Sequence, residues 1–248
     1  MSRSLVTRVV PLALVLLLPL SGCSDDETEL HVQAAASLTG TFQALEKEFE
    51  ADHEGVDVKL SFGSSTTLAE QANDGAPGDI LATADQQSMD LAVDGGSVAG
   101  EPAEFATNAL VLVVPADNPG RITGFDDFAD TDWVRCDDDV PCGRLAVSLL
   151  DANGVTANPV SRELDVKAVL AKVTSGEADA GFVYATDAVA AGDEVKVFDV
   201  PGAQDQLNPY FIAALKQAGD DDLAQDWLDL VNSDKGRTIL TDAGFGQP

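Results

Sequence analysis

Basic residues are scarce in this chain. Lys and Arg number 14 of 248 residues against 43 Asp and Glu, giving a formal charge of −29. A surface of that sign repels nucleic acid and anionic membrane faces, so a nucleic-acid role is excluded. Histidine is nearly missing: His31 and His53 are the two present. Neither stands beside a serine in a nucleophile pattern, and there is no Gly-x-Ser-x-Gly elbow and no Ser-x-x-Lys pair. No Walker loop occurs, and no Gly-x-Gly-x-x-Gly follows a strand-like run. The chain is therefore expected not to be an enzyme and to need no cofactor. Cysteines number 3. Cys136 and Cys142 lie close together with no histidine near them in sequence, so a zinc site has little support. Outside the cytoplasm such a pair favours a disulfide, with two free thiols as the alternative.

No run is long enough to cross a bilayer. Val9 to Leu20 is the most apolar stretch, broken by Pro11 and Pro19, and it is the right length for the core of an export signal. Arg3 and Arg8 supply the positive start, and Leu-Ser-Gly-Cys (20–23) follows directly. That arrangement resembles the lipobox of bacterial lipoproteins. The resemblance implies cleavage after residue 22, a lipid on Cys23 and a polar tether over 23–28. The expected location is the outer face of the cytoplasmic membrane, held by the lipid alone. Loss of residues 1–22 leaves 12 basic and 43 acidic residues, a formal charge of −31.

Apolar residues make up 45 % of the chain, enough for a real core. From residue 29 onward, short β-like runs alternate with amphipathic helical stretches. Leu30 to Ala35, Val56 to Phe62 and Ile80 to Thr83 read as strands. Between the first two, Leu38, Phe42, Leu45 and Phe49 recur at helical spacing. This alternation predicts an α/β fold with mainly parallel sheets flanked by helices. Further strands are expected at Leu110 to Val114, Trp133 to Cys136, Ala180 to Tyr184, Val195 to Val200 and Tyr210 to Ala214, with helices over Arg144 to Asp151, around Val166 to Val173 and at the C-terminus.

Three segments share one physical character: a strand end runs into a helix start through small or hydroxyl residues. They are Ala-Ala-Ala-Ser-Leu-Thr (34–39), Phe-Gly-Ser-Ser-Thr-Thr-Leu-Ala (62–69) and Val-Pro-Cys-Gly (140–143). A helix start presents unpaired N–H groups and a partial positive charge, so several converging starts can hold an anion without Lys or Arg. The plainer reading of Ser37 and Ser65 is helix N-capping.

Together with Gly-Ala-Pro-Gly-Asp-Ile (75–80), Asn-Ala-Leu-Val-Leu-Val-Val-Pro (108–115), Asp-Val-Lys-Ala-Val-Leu (165–170) and Gly-Phe-Val-Tyr-Ala-Thr-Asp-Ala (181–188), these segments resemble the molybdate-binding receptors of bacterial ABC transporters. The resemblance runs over nearly the whole mature chain in the same order. It implies a two-lobed periplasmic-binding-protein fold with a two-stranded hinge, residues 29–108 plus 208–248 in one lobe and 109–207 in the other. It implies a monomer that captures molybdate, or tungstate, and delivers it to a membrane permease with its ATPase. By motif, the ligand-binding groups are the hydroxyls of Ser37, Ser65 and Tyr184 and the amides of Cys142 and Val166, with no protein atom bonded to molybdenum itself. A Cys136–Cys142 disulfide would hold the Cys142 amide in place. All five groups donate hydrogen bonds, which suits a fully ionised dianion better than phosphate. Sulfate receptors and ligand-sensing lipoproteins that meet no permease remain the alternatives. Two acidic features sit near these positions: Asp165 is expected to cap its helix, and Asp137 to Asp139 are expected to form a solvated loop.

Overall fold

The computed structural model describes residues 28–248, and the expected export signal and lipidated Cys23 fall outside the described residues. No helix among the described residues is long and apolar enough to cross a membrane. The first strand, β1 (Thr28–Ala35), passes through a 3₁₀ turn (Ala36–Leu38) directly into α1 (Thr39–Asp52). Phe42, Leu45 and Phe49 form the inward stripe of α1 and are at most 1 % exposed. Burying each such side chain contributes about 1.5–3 kcal/mol. Then follow β2 (Val56–Gly63), α2 (Ser65–Asn73), β3 (Ile80–Thr83), α3 (Gln86–Gly95) and β4 (Val98–Asn108).

After β4 the chain enters a second sheet through β5 (Leu110–Pro115), a 3₁₀ turn (Phe125–Asp130), β6 (Trp133–Cys136), α4 (Pro141–Ala152), β7 (Ser161–Glu163), α5 (Val166–Thr174), β8 (Ala180–Tyr184), α6 (Ala185–Ala191) and β9 (Val195–Asp199). It returns to the first sheet as β10 (Asn208–Leu215) and ends in α7 (Asp221–Asn232) and α8 (Asp234–Asp242).

Each sheet has five strands, in the orders β2-β1-β3-β10-β4 and β7-β6-β8-β5-β9. The two orders are the same pattern. In each, four strands run one way, and the fourth in order, β10 or β5, runs against its neighbours. The reversed strand is in both cases the one the chain enters on crossing from the other sheet. The expected predominance of one strand direction therefore holds, with one exception per sheet. Strand β4, helix α6 and the three-residue β7 were not expected from the sequence.

Aromatic clusters fill each half. Phe42, Phe49, Phe105, Tyr210, Trp227 and Phe245 pack around α1 and α7. Phe125, Phe128, Trp133 and Phe182 pack beneath the second sheet. Tyr184 of β8 packs edge-to-face on Tyr210 of β10, ring centroids 5.9 Å apart, and so sets a ring of the second sheet against the first cluster. The crossing strands are pinned at the same level. Asn108 and Asn208 face each other in the β4–β10 register, and both are buried.

Candidate functional site

One cavity, of about 20 Å³, lies at the carboxyl ends of the strands where the two sheets meet. Its walls come from both sides. The first sheet supplies Ala35, Ala36, Ser37, Gly63, Ser64, Ser65 and Ala84; the second supplies Val140, Pro141, Cys142, Leu164, Asp165, Val166 and Tyr184. All five motif positions, Ser37, Ser65, Cys142, Val166 and Tyr184, are therefore brought together from widely separated parts of the chain. No Lys, Arg or His is among the lining residues, and Asp165 is the single charged one.

The two serines do not cap their helices. Ser37 sits inside the 3₁₀ turn and Ser65 opens α2, and neither makes a side-chain cap bond. Their hydroxyls are engaged elsewhere, in a way that sets their polarity. Ser65 Oγ accepts the Ala84 N–H at 2.9 Å. Ser37 Oγ lies 2.8 Å from the Tyr210 hydroxyl. Tyr184 Oη accepts Asn208 Nδ2–H at 2.6 Å. An oxygen that already accepts keeps its own hydrogen for donation, so Ser65 and Tyr184 are prepared as donors toward the cavity. Tyr210, itself 3.5 Å from Asn108 Nδ2, can do the same for Ser37. Burial pushes both tyrosine hydroxyls well above their usual pKa, so both stay protonated.

The two amides are available because of where they fall in their helices. Cys142 follows Pro141 in the first turn of α4, and Val166 opens α5, so neither N–H has an acceptor within its own helix. A disulfide joins Cys136 at the end of β6 to Cys142. Gly143 explains the last residue of its motif: a Cβ there would lie 1.6 Å from the Asp137 carbonyl oxygen. Only glycine lets the loop fold tightly enough to bring the Cys142 amide to the cavity wall.

The acidic neighbours are accounted for. Asp165 caps α5, accepting the Ala168 N–H at 3.0 Å, as expected. In the loop after β6, Asp138 pairs with Arg135 and, at 3.7 Å, with Arg162. Asp139 meets the opposite lobe through its carbonyl oxygen, which accepts the Thr66 hydroxyl at 2.8 Å. The Asp run is half-buried at Asp137 and exposed at Asp138 and Asp139, a solvated loop as expected, and it also touches the other side through the Asp139 backbone.

Several contributors were missed by sequence reasoning. Asn208, Tyr210 and Asn108 act through β10 and β4, whose pairing no local pattern reveals. Arg144 of α4 crosses the rim: its Nε and Nη2 donate to Asp85 Oδ2 at 2.9 and 2.7 Å, and Nη2 reaches Ser88 Oγ at 3.0 Å. Asp85 also caps α3 through Ser88 N–H. The signal available was position, since Arg144 directly follows the Pro-Cys-Gly helix start in a chain poor in cations.

Comparison with known proteins places the whole described chain. A family model described as bacterial extracellular solute-binding protein matches residues 30–246. The molybdate-binding protein ModA of Mycobacterium tuberculosis is 39 % identical over 230 residues, covering 92 % of this chain and 88 % of that one. In three dimensions the chain is similar to the periplasmic molybdate-binding protein of Azotobacter vinelandii, with a TM-score of 0.78 and 21 % identity over 88 % of this chain and 99 % of that one. It is also similar to the sulfate-binding protein SubI of M. tuberculosis, with a TM-score of 0.75 and 17 % identity over 88 % of this chain and 86 % of that one. Those two structures speak for the fold, and the family model together with the mycobacterial relative speaks for descent: this chain belongs to the bacterial extracellular solute-binding proteins.

Proposed function

We propose that this protein captures molybdate outside the cytoplasm and hands it to an ABC permease. The observation that carries the reading is the convergence of five hydrogen-bond donors, three hydroxyls and two amides, on one small cavity that no cation lines. Tetrahedral dianions need donors alone, and neutral dipoles avoid burying a fixed cation when the site is empty. The mycobacterial relative carries the same reading at the level of the whole chain. Ser37 and Ser65 bind the ion from the lobe formed by residues 29–108 and 208–248. Cys142, Val166 and Tyr184 bind it from the lobe formed by 109–207. The protein binds and releases without turnover, and His31 and His53 both lie outside the cavity lining. Lipid on Cys23 keeps the protein, a monomer, at the membrane where the permease works. Tungstate, with the same shape and charge, binds as well.

Calorimetry with sodium molybdate, tungstate, sulfate and phosphate tests the reading. Heat is expected with the first two and none with phosphate. Selection against sulfate then comes from cavity size, because the donor pattern is the same for both ions. No heat with either group-six oxyanion would end the proposal.

Ligand closes the lobes because it binds the closed arrangement better. The Arg144–Asp85 pair holds that arrangement at the rim, with the Arg144 and Asp85 side chains 22 % and 11 % exposed. Arg144→Ala is expected to weaken molybdate about tenfold, chiefly by speeding release. Stopped-flow dissociation checks this; an unchanged release rate would show that the rim contact is idle.

A further inference from the structure

Among the described residues three acids are buried: Asp79, Asp85 and Asp187. Asp79 accepts the backbone N–H groups of His31 and Gly219, both at 2.6 Å. Asp85 caps α3 and holds Arg144. Asp187, in the first turn of α6 and 0 % exposed, differs from both. Neither of its carboxylate oxygens has a hydrogen bond of good geometry. The Tyr184 backbone N–H, at the start of the same helix, favours its charge. Its one ionic partner is Lys167, whose Nζ lies 2.7 Å from Oδ1 and whose side chain is 35 % exposed. A buried carboxylate with so little support is costly to keep.

Its place in the chain suggests why it is there. Lys167 is the residue after Val166, and Asp187 is three residues after Tyr184. The pair therefore ties the first turn of α5 to the first turn of α6, the two segments that bring the Val166 amide and the Tyr184 hydroxyl to the cavity. We propose that Lys167 is a positioning residue for the oxyanion site: it makes Asp187 half of a neutral pair, so that these two donors converge on a dianion without the uncompensated Asp187 charge behind them. This inference rests on the oxyanion reading above.

Asp187 is close enough to act on the site, because its charge raises the pKa of both Tyr184 and Tyr210. The charged and titratable groups facing it are Lys167 from α5, Asp165 at its N-cap, Tyr184 from β8 and Tyr210 from β10. Burial already pushes the Asp187 carboxyl up, and Lys167 is the largest influence pulling it down. Without Lys167 the carboxyl rises further, so a lower pH neutralises it more readily. An uncompensated charge then returns as pH increases.

The test is molybdate calorimetry on the purified protein, Lys167→Met, Asp187→Asn and the double variant, each at about pH 6.5 and about pH 8.5. Lys167→Met is expected to weaken binding about tenfold or more at the higher pH and clearly less at the lower one. The double variant, which restores neutrality, is expected to return to within about threefold of the wild type at both. Lys167→Met within twofold of the wild type, or an equal loss at both pH values that the double variant does not recover, would overturn the inference. If Lys167→Met does not fold, Asp187→Asn decides: the cation left behind is expected to tighten molybdate about threefold or more, and unchanged or weaker binding counts against it. A wild type that gives no heat with molybdate overturns the reading beneath and the inference with it; a wild type that binds isolates the inference.

Discussion

Replacing Ser37 and Ser65 together by Ala is expected to weaken molybdate binding by roughly 100-fold to 10,000-fold, since a hydrogen bond to a charged group contributes about 1.5–3 kcal/mol and two are removed. These serines are the only motif donors on the first lobe. The second lobe would then hold an ion that gains little by drawing the first lobe in, so affinity and closure fail together. The variant should also be somewhat less stable without ligand. Ser65 is 1 % exposed and accepts the Ala84 N–H, which Ser65→Ala leaves buried and unpaired. That costs about 1–3 kcal/mol. Calorimetry gives the affinity and thermal unfolding without molybdate gives the stability. Affinity equal to the wild type would remove both serines from the site.

Asn208→Asp should be as damaging, although Asn208 does not line the cavity. In the wild type its Nδ2–H donates to Tyr184 Oη and leaves the phenol hydrogen to point at the ligand. A carboxylate at the same place accepts that hydrogen instead. The change reverses the bond and also sets a negative charge behind a dianion. Repulsion between charges a few ångströms apart in a partly buried setting is on the order of several kcal/mol, so a loss of about 100-fold or more is expected. Asn208→Leu, which removes the donor without adding charge, should lose only about tenfold. Titrations of the two variants side by side separate polarity from charge. If both lose the same amount, the Asn208 amide serves the hinge and does not set the direction of the Tyr184 hydroxyl.

Much of the fold could be read in advance because its central strands are apolar and its helices carry regular stripes. Ile80 to Thr83 and Ala180 to Tyr184 have the residue bounds expected of them, and α1 lies where Phe42, Leu45 and Phe49 put it. Strand β4 escaped because it is an edge strand with Gly100, Pro102 and the exposed Glu101 and Glu104. Edge strands tolerate such residues, and they erase the alternation that marks a half-buried strand. Helix α6 escaped because it starts at Ala185, directly on the end of β8, with no turn residues to announce it.

The site divides in the same way. Helix-start chemistry is local, so Ser37, Ser65 and the Pro-Cys-Gly turn could be recognised as anion-binding segments, and the family motif supplied Val166 and Tyr184. The groups that give these donors their direction are not local. Asn208 reaches Tyr184 because β10 inserts beside β4, and Arg144 reaches Asp85 because two lobes meet. No window of sequence contains either event.

The matching strand orders of the two sheets bear on how the chain matures. Among the described residues β4 pairs with β10 and, through one bridge, with Gly246, so a nascent polypeptide that has emerged through residue 108 holds a broken sheet. It stays broken until residues 208–215 arrive. The N-terminal half thus cannot settle into its finished form early, and the contacts that complete it are among the longest in sequence, which slows collapse to the native state. Late completion of the first sheet is thus written into the topology of the chain.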